Sequence, residues 1–457
     1  MDWLPTLSEW PGPAYRRIVD AIAADIGSGK LLRGERLPTH RALAAKLDLD
    51  LTTVTRAYGE ARKRGLIEAR VGQGTFVSET TARAPSDHSA PVQIDLSMNI
   101  PPQPVEANLD LRIAQGLASI RQDSGFSAFL NYLRPGGGDD DRAAAADWLH
   151  ARGPEAAYQR VVIFPGSQAI IFNALLTLTT PGDIVLTEAL TFPGARAAAA
   201  KLGVRLIGVA MDKEGVLPDA LEKACRIHKP KAVYLVPTQQ NPTTATLRTD
   251  RRKAVAAIIR KFGTPLIEDD VYGPLEPSMP PIATLAPELT YLAVSVAKCI
   301  SPGLRVAYLL APDAVAEASM RTALQATMQM PQPLMVALMT HWLRTGVAEE
   351  IIRAVRNEAT ARQQLAVRLL KGMDYAARPA SHHIWLPLPA NRGALELLSY
   401  LSRRGLAVVG EDAFAVNDAA PRGIRISLGA ARNRAELSSA LQVLSGAMTS
   451  FSTVQIV

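Results

Sequence analysis

Cysteine is nearly absent, with two in 457 residues. That is too few for a disulfide framework or a Cys-based zinc site, so a reducing compartment is expected and no metal. No stretch of about 18 uninterrupted apolar residues occurs, so no membrane partner is expected. The opening MDWLPTLSEW has no basic start followed by an apolar run, so no signal peptide is expected and the protein is placed in the cytoplasm. No period of about 20–50 residues repeats, which excludes a solenoid. Strong charge is also missing: the net is +7, and the first 80 residues hold 12 basic and 10 acidic side chains. Bulk charge this mild does not establish nucleic-acid binding. What is present is an ordinary globular composition, 48% apolar and 20% charged. At roughly 100–200 residues per domain the length allows two to four folding units.

Composition breaks most clearly at residues 79–91, which are polar, contain Pro85 and Pro91 and lack apolar periodicity. We read residues 1–78 as one small domain, 79–93 as a linker and 94–457 as a large body. Within the first part, Tyr15, Ile18, Ile22 and Ile26 follow the helical period. Two shorter helical patterns, 41–47 and 52–64, flank the polar break Asp48-Leu49-Asp50. Strand-like runs at 66–71 and 75–77 are joined by Gly72-Gln73-Gly74. Three helices and a hairpin is the order of a winged helix-turn-helix. In the body, unalternating apolar runs at 161–164, 184–186, 205–209, 232–236, 265–267 and 291–294 alternate with helical patterns. This predicts an α/β fold with a mainly parallel sheet covered on both faces.

A recognition helix needs polar side chains near its N-terminus, with positioning groups around it. Thr52, Thr53, Thr55 and Arg56 open the third helix, Arg41 opens the second, and the small Gly72-Gln73-Gly74 tip suits close approach to a phosphate or the minor groove. The strings LPTHRALA, TTVTRAY, RGLIE and GQGTFV resemble the GntR-family winged helix over residues 12–78. The resemblance implies Arg41, Thr52, Thr53 and Arg56 as contacts to double-stranded operator DNA. Asp48 stands where that family usually has Gly, and Asp50-Leu51 where it has Ser-Arg. Leu51 removes a contact and Asp50 would repel phosphate.

The body carries residue types that a cofactor aldehyde held as a Schiff base requires: a lysine, a carboxylate for the ring nitrogen, donors for the ring oxygen and a phosphate cradle. Lys298 follows the run 291–294, with Ser295 three residues before and Arg305 seven after. Glu268-Asp269-Asp270-Val271-Tyr272 and Gln239-Gln240-Asn241-Pro242 follow two other apolar runs. Strand carboxyl ends are where α/β sheets bind ligands. Pro165-Gly166-Ser167-Gln168 leads into an apolar helix whose first amides suit a phosphate.

In this order the motifs resemble the fold-type I aminotransferases, and with the winged helix the chain resembles the MocR-type regulators. The resemblance implies a PLP-dependent transferase-like domain with a large lobe at about 120–320 and a smaller α+β lobe at 94–119 plus 321–457. It implies pyridoxal 5′-phosphate on Lys298, Asp269 on the ring nitrogen, and Asn241 and Tyr272 on the ring oxygen. Phe192 is assigned to the ring face and Ser167, Gln168, Ser295 and Arg305 to the phosphate. Tyr132 would reach the phosphate of a partner subunit in a homodimer, and Arg425 would grip an effector carboxylate. Ala297 and Cys299 flank the lysine where Ser and Thr are more usual. His382 and His383 read as the start of a strand rather than metal ligands, for no acid or Cys cluster accompanies them.

The function expected is a PLP-dependent transcription regulator that senses an amino acid, an amine or the vitamer itself by exchange at the Lys298 Schiff base. Its rivals are an active aminotransferase with an accessory DNA module, and a regulator whose winged helix docks on protein.

Overall fold

A computed structural model describes residues 3–7, 13–27, 30–32, 34–63, 66–70, 74–77, 94–389, 394–417 and 420–453. The expected linker, and Gly72 and Gln73 of the wing tip, lie outside the described residues. The chain divides into two compact units, residues 1–90 and 91–457.

The first unit contains α1 (Ala14–Gly27), α2 (His40–Leu47), α3 (Leu51–Lys63), β1 (Ile67–Arg70) and β2 (Gly74–Val77). Ile18, Ile22, Leu43, Val54, Ala57 and Ile67 close its core. Thr39 caps α2 by accepting from the Ala42 amide at 3.2 Å. Asp48 ends that helix in the left-handed region, with φ 51°. The usual glycine there serves this conformation, which Asp adopts more readily than most side chains do.

The body begins with β3 (Ile94–Asp95), α4 (Leu109–Ser124) and α5 (Asp139–His150), then β4 (Val161–Phe164), α6 (Ser167–Leu178), β5 (Ile184–Glu188), α7 (Pro193–Lys201) and β6 (Arg205–Val209). A small hairpin, β7 (Met211–Asp212) and β8 (Gly215–Val216), precedes α8 (Pro218–His228), β9 (Ala232–Leu235), α9 (Thr249–Phe262), β10 (Leu266–Asp269), β11 (Thr290–Ser295) and β12 (Ala307–Leu310). Helices α10 (Ala314–Met328), α11 (Pro333–Thr345) and α12 (Val347–Leu369) lead to β13 (His383–Pro387), α13 (Ala394–Ser402), β14 (Leu406–Ala407), β15 (Val409–Gly410), β16 (Gly423–Ser427) and α14 (Arg434–Thr453).

The main sheet has the order β4-β12-β11-β10-β9-β5-β6. Only β12 runs against its neighbours. Six strands therefore deliver their carboxyl ends to one edge. Strands β4, β9, β10, β11 and β12 are buried along their whole length, as strands of a sheet covered on both faces are. The small lobe is built on the antiparallel sheet β13-β16-β15. Its first strand, β3, pairs in parallel with β14.

The boundary between lobes falls later than the expected residue 320. Met320, Leu324, Val336, Leu338, Trp342, Ile351 and Val355 all pack with the main sheet, whereas Ala366 and Leu370 pack with the small lobe's Leu386, Ile424 and Leu441. A 23-residue helix is about 35 Å long, so α12 reaches both cores and the division lies within it. No helix among the described residues is long and apolar enough to cross a membrane.

Candidate functional site

Lys298 lies three residues beyond β11, where its ammonium nitrogen donates to the Asn99 carbonyl. Burial disfavours its charged form, and the Arg425 guanidinium adds repulsion that Asp269 partly offsets, so its pKa is lowered to about 8. An appreciable neutral fraction at neutral pH makes it a usable nucleophile.

Asp269 ends β10 and is 3% exposed. The Tyr234 hydroxyl donates to its Oδ2 at 2.6 Å, while Oδ1 is buried without a partner. Burial raises its pKa to about 6 despite the Tyr234 bond. Asp270, the next residue, is occupied elsewhere: Arg152 Nη1 and the Thr238 hydroxyl donate to it at 2.5 and 2.7 Å. The adjacent carboxylates thus divide between structure and site.

The loop after β9 is fixed by Arg252, 1% exposed, which donates to the carbonyls of Leu247, Pro237 and Pro280 at 2.8, 3.0 and 3.1 Å. This loop carries Asn241, whose Oδ1 accepts from Arg425 Nη1 at 2.9 Å. Arg425 comes from the small lobe on β16 and also donates to the Ser97 carbonyl, leaving its buried Nε unpartnered. Its guanidinium carbon stands 5.0 Å from the Phe414 ring centroid. Burial lowers its pKa to about 10. Tyr272 is buried, and its oxygen accepts from Asn99 Nδ2 at 2.8 Å.

A second group of residues forms a cup at the carboxyl end of β4. Gly166 precedes α6 with φ 100°, and a Cβ there would stand 2.6 Å from Arg305 Nη2. Arg305 donates to the Pro165 carbonyl at 2.8 Å, and Ser167 opens α6 beside it. Gln168 Nε2 donates to the Gly194 carbonyl at 2.9 Å, and Phe192 precedes α7 on the same side. The helix N-terminus, a free face of guanidinium and the missing Cβ make a cradle suited to a phosphate. Ser295 does not open into it: its hydroxyl donates to the Val306 carbonyl at 3.3 Å and accepts from the Ala297 amide at 3.1 Å. Tyr132 also stands apart, 82% exposed, as does the neighbouring Leu130. Cys299 is buried, its thiol pushed up to about 12 by burial.

Sequence reasoning missed Asn99, Tyr234 and Gln240, and gave His382 and His383 no part in this site. Both histidines do begin or precede β13, yet His382 Nε2 donates to the Lys298 carbonyl at 2.5 Å and His383 faces Asn99. A histidine pair opening an apolar run was the available signal.

In the N-terminal unit, Arg41, Thr52, Thr55 and Arg56 are exposed and Thr53 half-buried. Arg41 lines a hollow of about 420 Å³ with Arg36, Thr39, His40, Gly74 and Thr75. Thr55 Oγ1 lies 3.3 Å from His40 Nδ1, and the Arg56 guanidinium stacks 4.1 Å from the Tyr15 ring centroid. Asp50 accepts from the Thr52 amide and hydroxyl at 2.7 and 2.6 Å, so it caps α3. These bonds hold its carboxyl below the usual range. The Thr52 hydroxyl thus has its hydrogen committed to this cap.

The model of the family "Aminotransferase class I and II" matches residues 91–444, and that of "Bacterial regulatory proteins, gntR family" matches residues 14–77. The uncharacterized HTH-type transcriptional regulator YdeF of Bacillus subtilis is 28% identical over 97% of this chain and 96% of its own. The vitamin B6 salvage pathway transcriptional repressor PtsJ of Salmonella typhimurium is 28% identical over 91% of this chain and 94% of its own. Among solved structures, the α-aminoadipate aminotransferase LysN of Thermus thermophilus, complexed with N-(5′-phosphopyridoxyl)-L-leucine, superposes with a TM-score of 0.73 at 26% identity. That likeness covers 79% of this chain and 93% of LysN.

Proposed function

Because the chain belongs to the aminotransferase class I and II family and, with its gntR-type module, is a MocR-type transcriptional regulator whose body takes pyridoxal 5′-phosphate, we propose that Lys298 holds the cofactor and that an amine sensed there sets operator affinity. The observation that carries this reading is the unpartnered Oδ1 of Asp269, buried opposite a lysine whose pKa is lowered to about 8. An orphaned buried carboxylate oxygen is costly and fits a ring N–H.

In this reading Asn241 and Tyr272 meet the ring oxygen and Phe192 covers a ring face. Ser167, Gln168 and Arg305 hold the phosphate, with the buried Ser295 backing the cradle and Tyr132 of a second copy completing it. The exposed Leu130 and Tyr132 support a homodimer built over this segment. When bound, the group supplies an electrophilic carbon that an amine attacks. Lys298 and an effector amine would compete for that carbon, and the effector carboxylate would pair with Arg425, whose Nε is left without a partner by its bonds to Asn241 and the Ser97 carbonyl. Effectors of this description include amino acids, and the vitamin B6 relative supports the vitamer as a further one.

Arg41, Thr53, Thr55 and Arg56, with Thr52, Gly72, Gln73 and Gly74, would meet double-stranded operator DNA in the cytoplasm. The domain limits we adopt are 1–78, 79–93 and 94–457. The test is a gel shift against the gene's own upstream region with wild type, Lys298→Ala and Arg41→Ala. Arg41→Ala should lose the shift and keep the visible absorbance; Lys298→Ala should keep the shift and lose both reducible cofactor attachment and the response to amines. Absence of a specific wild-type shift at any salt concentration overturns the reading. The convergence of Lys298, Asp269, Tyr272 and Arg425 also favours a second reading as an aminotransferase. Steady-state turnover at roughly 1–1000 per second would establish it.

A further inference from the structure

Behind Tyr272 stands a chain of hydrogen bonds whose direction is fixed at every link. His383 is fully buried, and its Nε2 lies 3.2 Å from the Gln240 carbonyl. A carbonyl oxygen only accepts, so Nε2 carries the hydrogen and Nδ1 keeps its lone pair. Asn99 Nδ2 is 3.0 Å from that Nδ1 and donates to it. The alternative amide orientation would set Asn99 Oδ1 against the Nδ1 lone pair, two acceptors facing each other. The second hydrogen of Asn99 Nδ2 goes to the Tyr272 oxygen at 2.8 Å. Tyr272 is therefore an acceptor on this side, and its own hydrogen must point elsewhere.

The groups facing this chain are Asp269 at the end of β10, Lys298 after β11, His382 and His383 at β13 and Arg425 on β16. Burial and the neighbouring cations hold both histidines neutral, His382 at about 4 and His383 well below its ordinary value. Burial likewise holds the Tyr272 phenol protonated. The polarity of the chain is thus constant across the physiological range.

We propose that Asn99 and His383 are positioning residues that commit the Tyr272 hydroxyl to donate to the cofactor's ring oxygen. The proposal rests on the reading of Tyr272 as a ring-oxygen partner. It gives the two residues a role in tuning the cofactor, since a donor on that oxygen stabilises its anion and lowers the pH at which the loaded protein loses its proton.

The measurement is the pH midpoint of the visible absorbance change of the cofactor-loaded protein, with cofactor affinity recorded by spectral titration. Tyr272→Phe should raise the midpoint. Asn99→Ala and His383→Leu should each raise it by roughly 0.4–1 pH unit, the equivalent of one ordinary hydrogen bond. His383→Asn, which offers Oδ1 in place of Nδ1, should restore most of the shift. Neither Asn99→Ala nor His383→Leu should add to Tyr272→Phe in the double variant. If Tyr272→Phe moves the midpoint while Asn99→Ala does not, or if the shifts add fully, the positioning role is overturned. If Tyr272→Phe leaves it unmoved, the ring-oxygen reading itself fails. Asn99→Ala decides the matter should His383→Leu fail to fold.

Discussion

Asp269 has one oxygen satisfied by Tyr234 and one orphaned, and burial, helped by the neighbouring Asp270 charge, raises its pKa to about 6. Its folded value lies above its unfolded one, so it favours the folded apoprotein at low pH and that contribution is lost as pH rises from about 4 to about 6. Cofactor loading reverses this sign, because a ring N–H favours the carboxylate. Below about pH 6 loading therefore releases a proton, and cofactor affinity should fall by up to about tenfold per pH unit, as a spectral titration from pH 5 to 8 would show. Asp269→Asn removes the charge and keeps the shape. We expect a loss of roughly 10–100-fold in affinity and a flat pH dependence, in keeping with a charge-assisted hydrogen bond. An unchanged affinity would count against Asp269 as the ring-nitrogen partner.

Elements, rather than residues, were what the sequence exposed most clearly. The unalternating runs at β4, β9, β10 and β11 announced a buried parallel sheet, and strand ends located Lys298, Asp269 and Asn241 together. Asn99 was invisible because its partners Tyr272 and His383 are 173 and 284 residues away, and no local pattern records such distances. Ser295 misled for the opposite reason: its spacing from Lys298 suggested a free hydroxyl, which the neighbouring backbone takes up. At the turn into α6, Gly166→Ala would force a Cβ against Arg305 at φ 100°. Such strain is of order 1–3 kcal/mol, so cofactor affinity should drop by about tenfold or more while the helix persists by circular dichroism. At the turn into α3, Asp50 is both cap and phosphate-repelling charge. Asp50→Ser retains a capping oxygen without the charge. DNA affinity should rise, more at low salt than at high, with the thermal midpoint nearly unchanged.

The molecule as a whole is two units, and the cofactor belongs to one of them. Calorimetry of the full chain should accordingly show the body's transition move up on loading, by about 2.7 kcal/mol at a hundredfold excess over the dissociation constant, while the transition of the N-terminal unit stays in place. Movement of both transitions would reveal energetic coupling between the units without effector. The first described residues of the body are closely tied down. Ile94 and Leu96 donate to the Gly405 and Ala407 carbonyls at 2.7 and 2.9 Å, Leu96 accepts from the Ser427 amide at 3.0 Å, and the very next carbonyl, that of Ser97, is the one Arg425 holds. In mechanical terms the chain entering the body is a rein knotted at Leu96 and hooked one residue later. One residue of chain spans only about 3.3–3.6 Å, so Arg425 holds the entering chain within that distance of the fixed knot.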